Sequence, residues 1–258
     1  MSILRYTLIQ SNLTWENKEV NRALFSEKIN SHPEKMELVI LPETFTTGFS
    51  MNSNLAEDMN GETFHWMKQI AMEKRIILCG SFFCKEDNHA FNRLVWMLPN
   101  GRYHTYDKRH VFTMAGEDQH FKPGDKRFIA QVNGWKICTL ICYDLRFPVW
   151  SRMQSADEYD AIVVIANWPE KRKLAWESLL IARAIENQCF VIAVNRVGTD
   201  GNGFNYSGES CVINPLGEVL YKQSNLEDVF TIELNKQEVI NCRTNLPFQK
   251  DKDIFAIL

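Results

Sequence analysis

Three residues of reactive type each follow a strand-like run in this chain. Glu43 comes after Leu38–Leu41 and Pro42, Lys108 after Arg102–Asp107, and Cys142 after Trp135–Ile141. If those runs are strands, all three side chains sit at strand ends, where ligand and reaction sites of α/β proteins gather. A nucleophile, a cation and a carboxylate are a set that breaks an amide. A thiolate attacks the carbonyl carbon. A carboxylate takes the thiol proton and later hands it to the departing ammonia. An ammonium stabilises the developing oxyanion and helps hold the sulfur as thiolate.

Each residue alone has a plainer reading. Most free cysteines are small buried hydrophobes, and most glutamates and lysines are solvated. The surroundings argue otherwise. Cys142 lies in TLICYDLRFP, with Pro148 opening a helix just beyond it, so the sulfur stands on a strand-to-helix turn that favours the thiolate. Glu43 lies in LPETFTTGF, among Phe45, Phe49 and a glycine, and Lys108 lies in YDKRHVF. Phe45 and Tyr143, as neighbours of these residues, are the aromatic candidates for lining a pocket.

The elements that must position them are legible from periodicity. Strand-like runs occur at Ile3–Gln10, Leu38–Leu41, Ile76–Phe83, Leu94–Leu98, Arg102–Asp107, Phe128–Val132, Lys136–Ile141, Ala161–Ile165, Phe190–Val194, Ser210–Ile213 and Val229–Leu234. Apolar stripes at helical spacing mark Asn17–Ile29, Glu62–Lys74 and Lys173–Gln188. Pro99-Asn100-Gly101 and Pro215-Leu216-Gly217 read as hairpin turns. Helical connections mixed with hairpins predict one α/β domain over residues 1–258, with two packed sheets and helices outside.

Composition narrows the class. The 258 residues are 45% hydrophobic, with a net charge of −3, so neither nucleic acid nor an anionic membrane is an expected partner. The seven cysteines form no disulfide or metal-binding pattern and suit a reducing cytoplasm. Cys79, Cys138 and Cys189 lie within or beside apolar strands and are expected in the core. No run approaches the roughly 20 apolar residues of a membrane span, and the N-terminal segment has no signal-peptide pattern. The chain is expected to be cytoplasmic.

The three segments, in this order, resemble the nitrilase superfamily of carbon–nitrogen hydrolases. The resemblance continues through Pro123-Gly124-Asp125, Asn167-Trp168-Pro169, ARAIENQ, Asn195-Arg196-Val197-Gly198, SGES and NPLGE, so it spans nearly the whole chain. It implies that Glu43 is the general base, Lys108 the lysine and Cys142 the nucleophile of that family. Glu117, ahead of the Pro-Gly-Asp turn, takes the place of the family's assisting glutamate. It also implies a four-layer αββα sandwich, a homodimer and no metal or organic cofactor. ICYDLRFP, ANWPEKRKLAW and ARAIENQ most resemble the ω-amidase branch. Its members hydrolyse the terminal amide of 2-oxoglutaramate and 2-oxosuccinamate, giving the acid and ammonia.

The same triad serves other members, among them N-carbamoyl amino acid hydrolases and deaminated-glutathione amidases. A catalytically silent binding member should have lost one of the three residues, and this chain keeps them all. An ω-amidase must also hold a carboxylate at the far end of a short substrate, which calls for a cationic partner. Arg172, in the segment after Ala161–Ile165, is the expected clamp. Arg146 is expected to brace the Cys142 turn through an ion pair, and His110 to support its loop. Trp168 is a further candidate for the pocket wall.

Overall fold

The computed structural model describes residues 2–154 and 157–257. The strands are β1 Ile3–Gln10, β2 Leu38–Ile40, β3 Glu57–Asp58, β4 Ile77–Glu86, β5 His89–Met97, β6 Tyr103–Asp107, β7 Ile129–Val132, β8 Trp135–Ile141, β9 Ala161–Ala166, β10 Phe190–Asn195, β11 Val197–Thr199, β12 Asn205–Ile213, β13 Val219–Ser224 and β14 Asp228–Asn235. The α-helices are α1 Lys18–Ser31, α2 Glu62–Lys74, α3 Glu117–His120, α4 Pro148–Ser151, α5 Lys173–Asn187 and α6 Lys236–Asn245.

The strands form two sheets. One runs β14-β1-β2-β4-β5-β6 with β3 on β4, and the other β11-β12-β10-β9-β8-β7 with β13 on β12. The β1, β2 and β4 neighbours are parallel, as are β8, β9 and β10, while hairpins add the antiparallel flanks. Side-chain alternation sorts the first sheet into two faces. Leu4, Tyr6 and Leu8 of β1, with Leu38 and Ile40 of β2, face the second sheet, where Tyr6 meets Trp135 edge-on. Ile9, Val39 and Leu78 face the other way, onto Phe25 and Ile29 of α1 and Phe64, Met67 and Ile70 of α2. On the far side, α5 buries Trp176, Leu180 and Ala184 against β10 and β12. The order helix, sheet, sheet, helix is the αββα architecture expected from the sequence.

Local signals set the helix ends. Asn17 caps α1, its side chain accepting from the Val20 N–H, and Gln188 closes α5 in a left-handed conformation. Five elements were not read from the sequence, among them the three-residue β11 and the one-turn α3. The two-residue β3 and the exposed edge strand β13 carry no clean alternation, and α6 buries only Val239 and Cys242. Strand β12 also begins earlier than its apolar stretch, because Asn205–Glu209 continues the pairing. The helix foreseen at Pro148 is only the single turn of α4, preceded by a 3-10 turn over Cys142–Arg146.

Candidate active site

The strand ends converge in the cleft between the sheets. Glu43 follows β2, Lys108 follows β6, Cys142 follows β8 and Asn167 follows β9. The Lys108 Nζ donates to Glu43 Oε1 at 2.9 Å and to both Glu117 oxygens, at 2.9 and 3.1 Å. Lys108 and both glutamates are buried. The Phe112 N–H also donates to Glu117. A buried lysine between two carboxylates stays charged: Glu117 and Glu43 lift its pKa far above the ordinary lysine value against the cost of burial.

Glu43 is fixed at both oxygens. Its Oε1 accepts from Lys108 Nζ and from Asn92 Nδ2 at 2.8 Å, and its Oε2 accepts from the Asn167 N–H at 2.7 Å. Asn167 grips the same turn through its side chain, donating to Glu43 O at 2.6 Å and Thr44 Oγ1 at 3.0 Å. Thr44 has φ +41°, a left-handed conformation that β-branched residues rarely adopt. Asn195 holds the partner segment, accepting from the Trp168 N–H at 2.8 Å and donating to Trp168 O at 3.0 Å.

Cys142 also has a left-handed backbone, φ +45°. Such strain persists where surroundings over-determine it, and Asp144 does so. Its Oδ2 accepts from the Ile141 N–H at 3.0 Å and Tyr106 OH at 2.6 Å, and its Oδ1 from His110 Nδ1 at 2.8 Å. His110 supports the turn, as expected. The thiol lies 3.8 Å from Asn167 O. Burial pushes its pKa well above the ordinary value, the Glu43 charge adds to this, and Lys108 opposes it. Burial and Glu43 thus act against the expected thiolate, and the Lys108 ammonium acts for it.

A cavity of about 450 Å³ opens above Cys142 and Lys108. Tyr143, Trp168 and Arg172 line it, as expected, together with Phe49, Phe112 and Arg146. Phe45 does not. It is fully buried on the helix side of the first sheet, 5.6 Å from the Phe25 ring and 5.5 Å from Trp66. The Phe45 N–H donates to Ser81 O at 3.0 Å, which lays this residue along β4 and turns its ring away from the cleft. Phe49 takes the pocket position, its ring 4.8 Å from Lys108 Nζ.

Arg146 is a second correction. It makes no ion pair among the described residues; its guanidinium stacks on Trp168 at 4.7 Å and faces the cavity. Arg172 stacks on Phe112 at 5.1 Å and likewise has no carboxylate partner among the described residues. Both cations are half-buried at the wall of one pocket. Of the residues sequence reasoning missed, Asn92 carries no local signal, since it lies within β5. Asn167 and Asn195 stood in recognised segments without an assigned role.

The carbon–nitrogen hydrolase family model matches residues 5–244. Omega-amidase YafV of Escherichia coli strain K12 is 40% identical over 258 residues, with 98% of each chain covered. 2-Oxoglutaramate amidase of Bacillus subtilis strain 168 is 32% identical over 237 residues, covering 90% of each. The crystal structure of XC1258 from Xanthomonas campestris, a CN-hydrolase superfamily protein with an arsenic adduct in the active site, superposes with a TM-score of 0.97 at 38% identity over the whole of both chains. The chain belongs to the carbon–nitrogen hydrolase family, the nitrilase superfamily. Within that family it is an amidase.

Proposed function

We propose that this amidase hydrolyses the terminal amide of short 2-oxo dicarboxylate monoamides, 2-oxoglutaramate and 2-oxosuccinamate, through a thioester on Cys142. The carrying observation is a small cavity with Cys142 and Lys108 at one end and two unpaired guanidiniums, Arg146 and Arg172, on its wall. A substrate with an amide at one end and a carboxylate at the other matches that polarity. The names of the E. coli and B. subtilis relatives support the same class.

The geometry favours Glu43 Oε2 as the proton acceptor. Oε1 already accepts two hydrogen bonds, whereas Oε2 accepts one and has a lone pair left. As the proton passes from Cys142 Sγ to Oε2, the sulfur bonds to the amide carbon. The carbonyl electrons move to oxygen, and Lys108 stabilises that charge. Collapse of the tetrahedral adduct breaks the C–N bond, and Glu43 returns the proton to the leaving nitrogen, releasing ammonia. Water then attacks the thioester, giving its proton to Glu43. The C–S bond breaks and the departing sulfur recovers that proton. Because Glu117 binds Lys108 rather than facing the thiol, its part is to orient the ammonium. This cycle calls on no metal or organic cofactor.

A cytoplasmic setting suits the seven cysteines, all of which are free thiols. Among the described residues no helix is long and apolar enough to cross a membrane. The outer face of α5 carries exposed Leu174 and Ile185, with Ile181 between them, and this apolar stripe supports the homodimer expected of the family.

The test is ammonia release from 2-oxoglutaramate, succinamate, glutamine, N-carbamoyl amino acids and simple nitriles. The expected result is a kcat/KM for 2-oxoglutaramate at least tenfold above the others, abolished in Cys142→Ala. Preference for an N-carbamoyl amino acid or a nitrile would overturn the substrate reading.

A further inference from the structure

We propose that Asn92 is a positioning residue for the proton-transfer step: it fixes the Glu43 carboxylate through Oε1 and directs the thiol proton to Oε2. This rests on the reading of Glu43 as general base.

Asn92 stands directly across from Lys108. The β5–β6 ladder pairs Arg93 with Asp107, and the Lys108 N–H extends it by one rung, donating to Asn92 O at 3.0 Å. Alternation along β5 puts Asn92 on the same face as Leu94 and Trp96, toward the second sheet. One residue thus sets the backbone of the lysine and, through Nδ2, touches the carboxylate of the base at 2.8 Å. Asn92 is buried, and its Oδ1 has no hydrogen-bond partner among the described residues.

The amide orientation is dictated by Glu43: turned over, Oδ1 would face a carboxylate oxygen. Lys108 is shared between Glu43 and Glu117, so its single charge serves two carboxylates. A neutral donor on Oε1 is then the one contact, besides the Asn167 N–H, that belongs to Glu43 alone. It holds that oxygen in place. It also occupies the second lone pair of Oε1, which leaves Oε2 as the open acceptor.

Two variants test this. Asn92→Asp replaces the donor with a second carboxyl, and Asn92→Leu removes it at similar volume. Both should lower kcat, on the order of 10- to 100-fold at pH 7, and leave KM nearly unchanged, since the residue acts on the base and not on the substrate. Alkylation of Cys142 by iodoacetamide gives a readout independent of substrate identity. It should slow in Asn92→Leu and should not slow further when Glu43→Gln is added. A native kcat in either folded variant overturns the proposal, as does additive slowing in the double variant. If Glu43→Gln alone leaves hydrolysis intact, the base assignment itself fails, and that outcome is distinct from the others.

Discussion

Glu117 grips the Lys108 ammonium through both carboxylate oxygens, at 2.9 and 3.1 Å, while Glu43 takes it through one. The lysine is therefore aimed by Glu117 and shared with Glu43. Lys108→Met should cost on the order of 10²–10³ in kcat, as loss of one oxyanion donor typically does. Glu117→Gln keeps the shape and one acceptor, and loses the charge that holds the ammonium. Its kcat should fall on the order of tenfold or more, with KM changing less. Native steady-state kinetics for Glu117→Gln would make that contact merely structural.

The sequence carried this cluster further than it carried the pocket around it. Glu43, Lys108 and Cys142 each follow a strand-like run, so strand ends alone brought them to one edge. Glu117 lay beyond any strand, and only the family resemblance singled it out. Phe45 and Phe49 show the limit. Both flank the same glutamate and are the same residue type, yet one fills the helix-side core and the other the pocket. What separates them is the left-handed turn at Thr44 and the bond from the Phe45 N–H to Ser81, which depend on a strand distant in sequence. Arg146 was misread for a related reason. An arginine near a buried aspartate suggests an ion pair, but Asp144 is already saturated by Ile141, Tyr106 and His110.

Phe45 and Phe49 therefore respond differently to truncation. Phe45→Ala empties a buried site between Phe25 and Trp66 and should cost about 3–5 kcal/mol of stability. Its KM at a temperature where the variant stays folded should be near native. Phe49→Ala should leave the melting temperature within a few degrees and reduce kcat/KM, because the ring packs over Lys108 in the cavity. Equal effects of both changes on KM would return Phe45 to the pocket wall.

The upward push on the Cys142 thiol has a measurable sign. Its pKa is raised, so the thiolate fraction is small at neutral pH and grows as pH rises. The rate of alkylation by iodoacetamide should therefore climb through pH 7–9 without levelling off, and intact-mass spectrometry should place the adduct on Cys142. The other buried thiols, such as Cys138, which burial pushes up to about 11, should react only on unfolding. A plateau in the alkylation rate below pH 7 would mean a preformed thiolate. Burial would then not be the controlling influence, and Glu43 would not be needed as a base in the first step.

The pocket cations give the sharpest test of specificity. Arg146 and Arg172 reach the same cavity from different elements, one from the turn after Cys142 and the other from the segment before α5. Each lies on an aromatic face, Trp168 for Arg146 and Phe112 for Arg172, which holds the guanidinium without neutralising it. An unpaired, half-buried guanidinium is poised to take a carboxylate in a charge-assisted, two-pronged contact. That contact is worth roughly 1.5–3 kcal/mol, about ten- to a hundredfold in binding. Arg146→Met and Arg172→Met should each raise KM for 2-oxoglutaramate by about that factor while barely changing hydrolysis of an uncharged short amide. If both hold one carboxylate together, the double variant should lose less than the product of the two single effects, because removing either already weakens the contact made by the other. A KM rise confined to Arg146→Met would place the carboxylate against Trp168 and leave Arg172 as a wall residue. Equal losses on charged and neutral amides would mean that the two arginines support the pocket and the carboxylate is bound elsewhere.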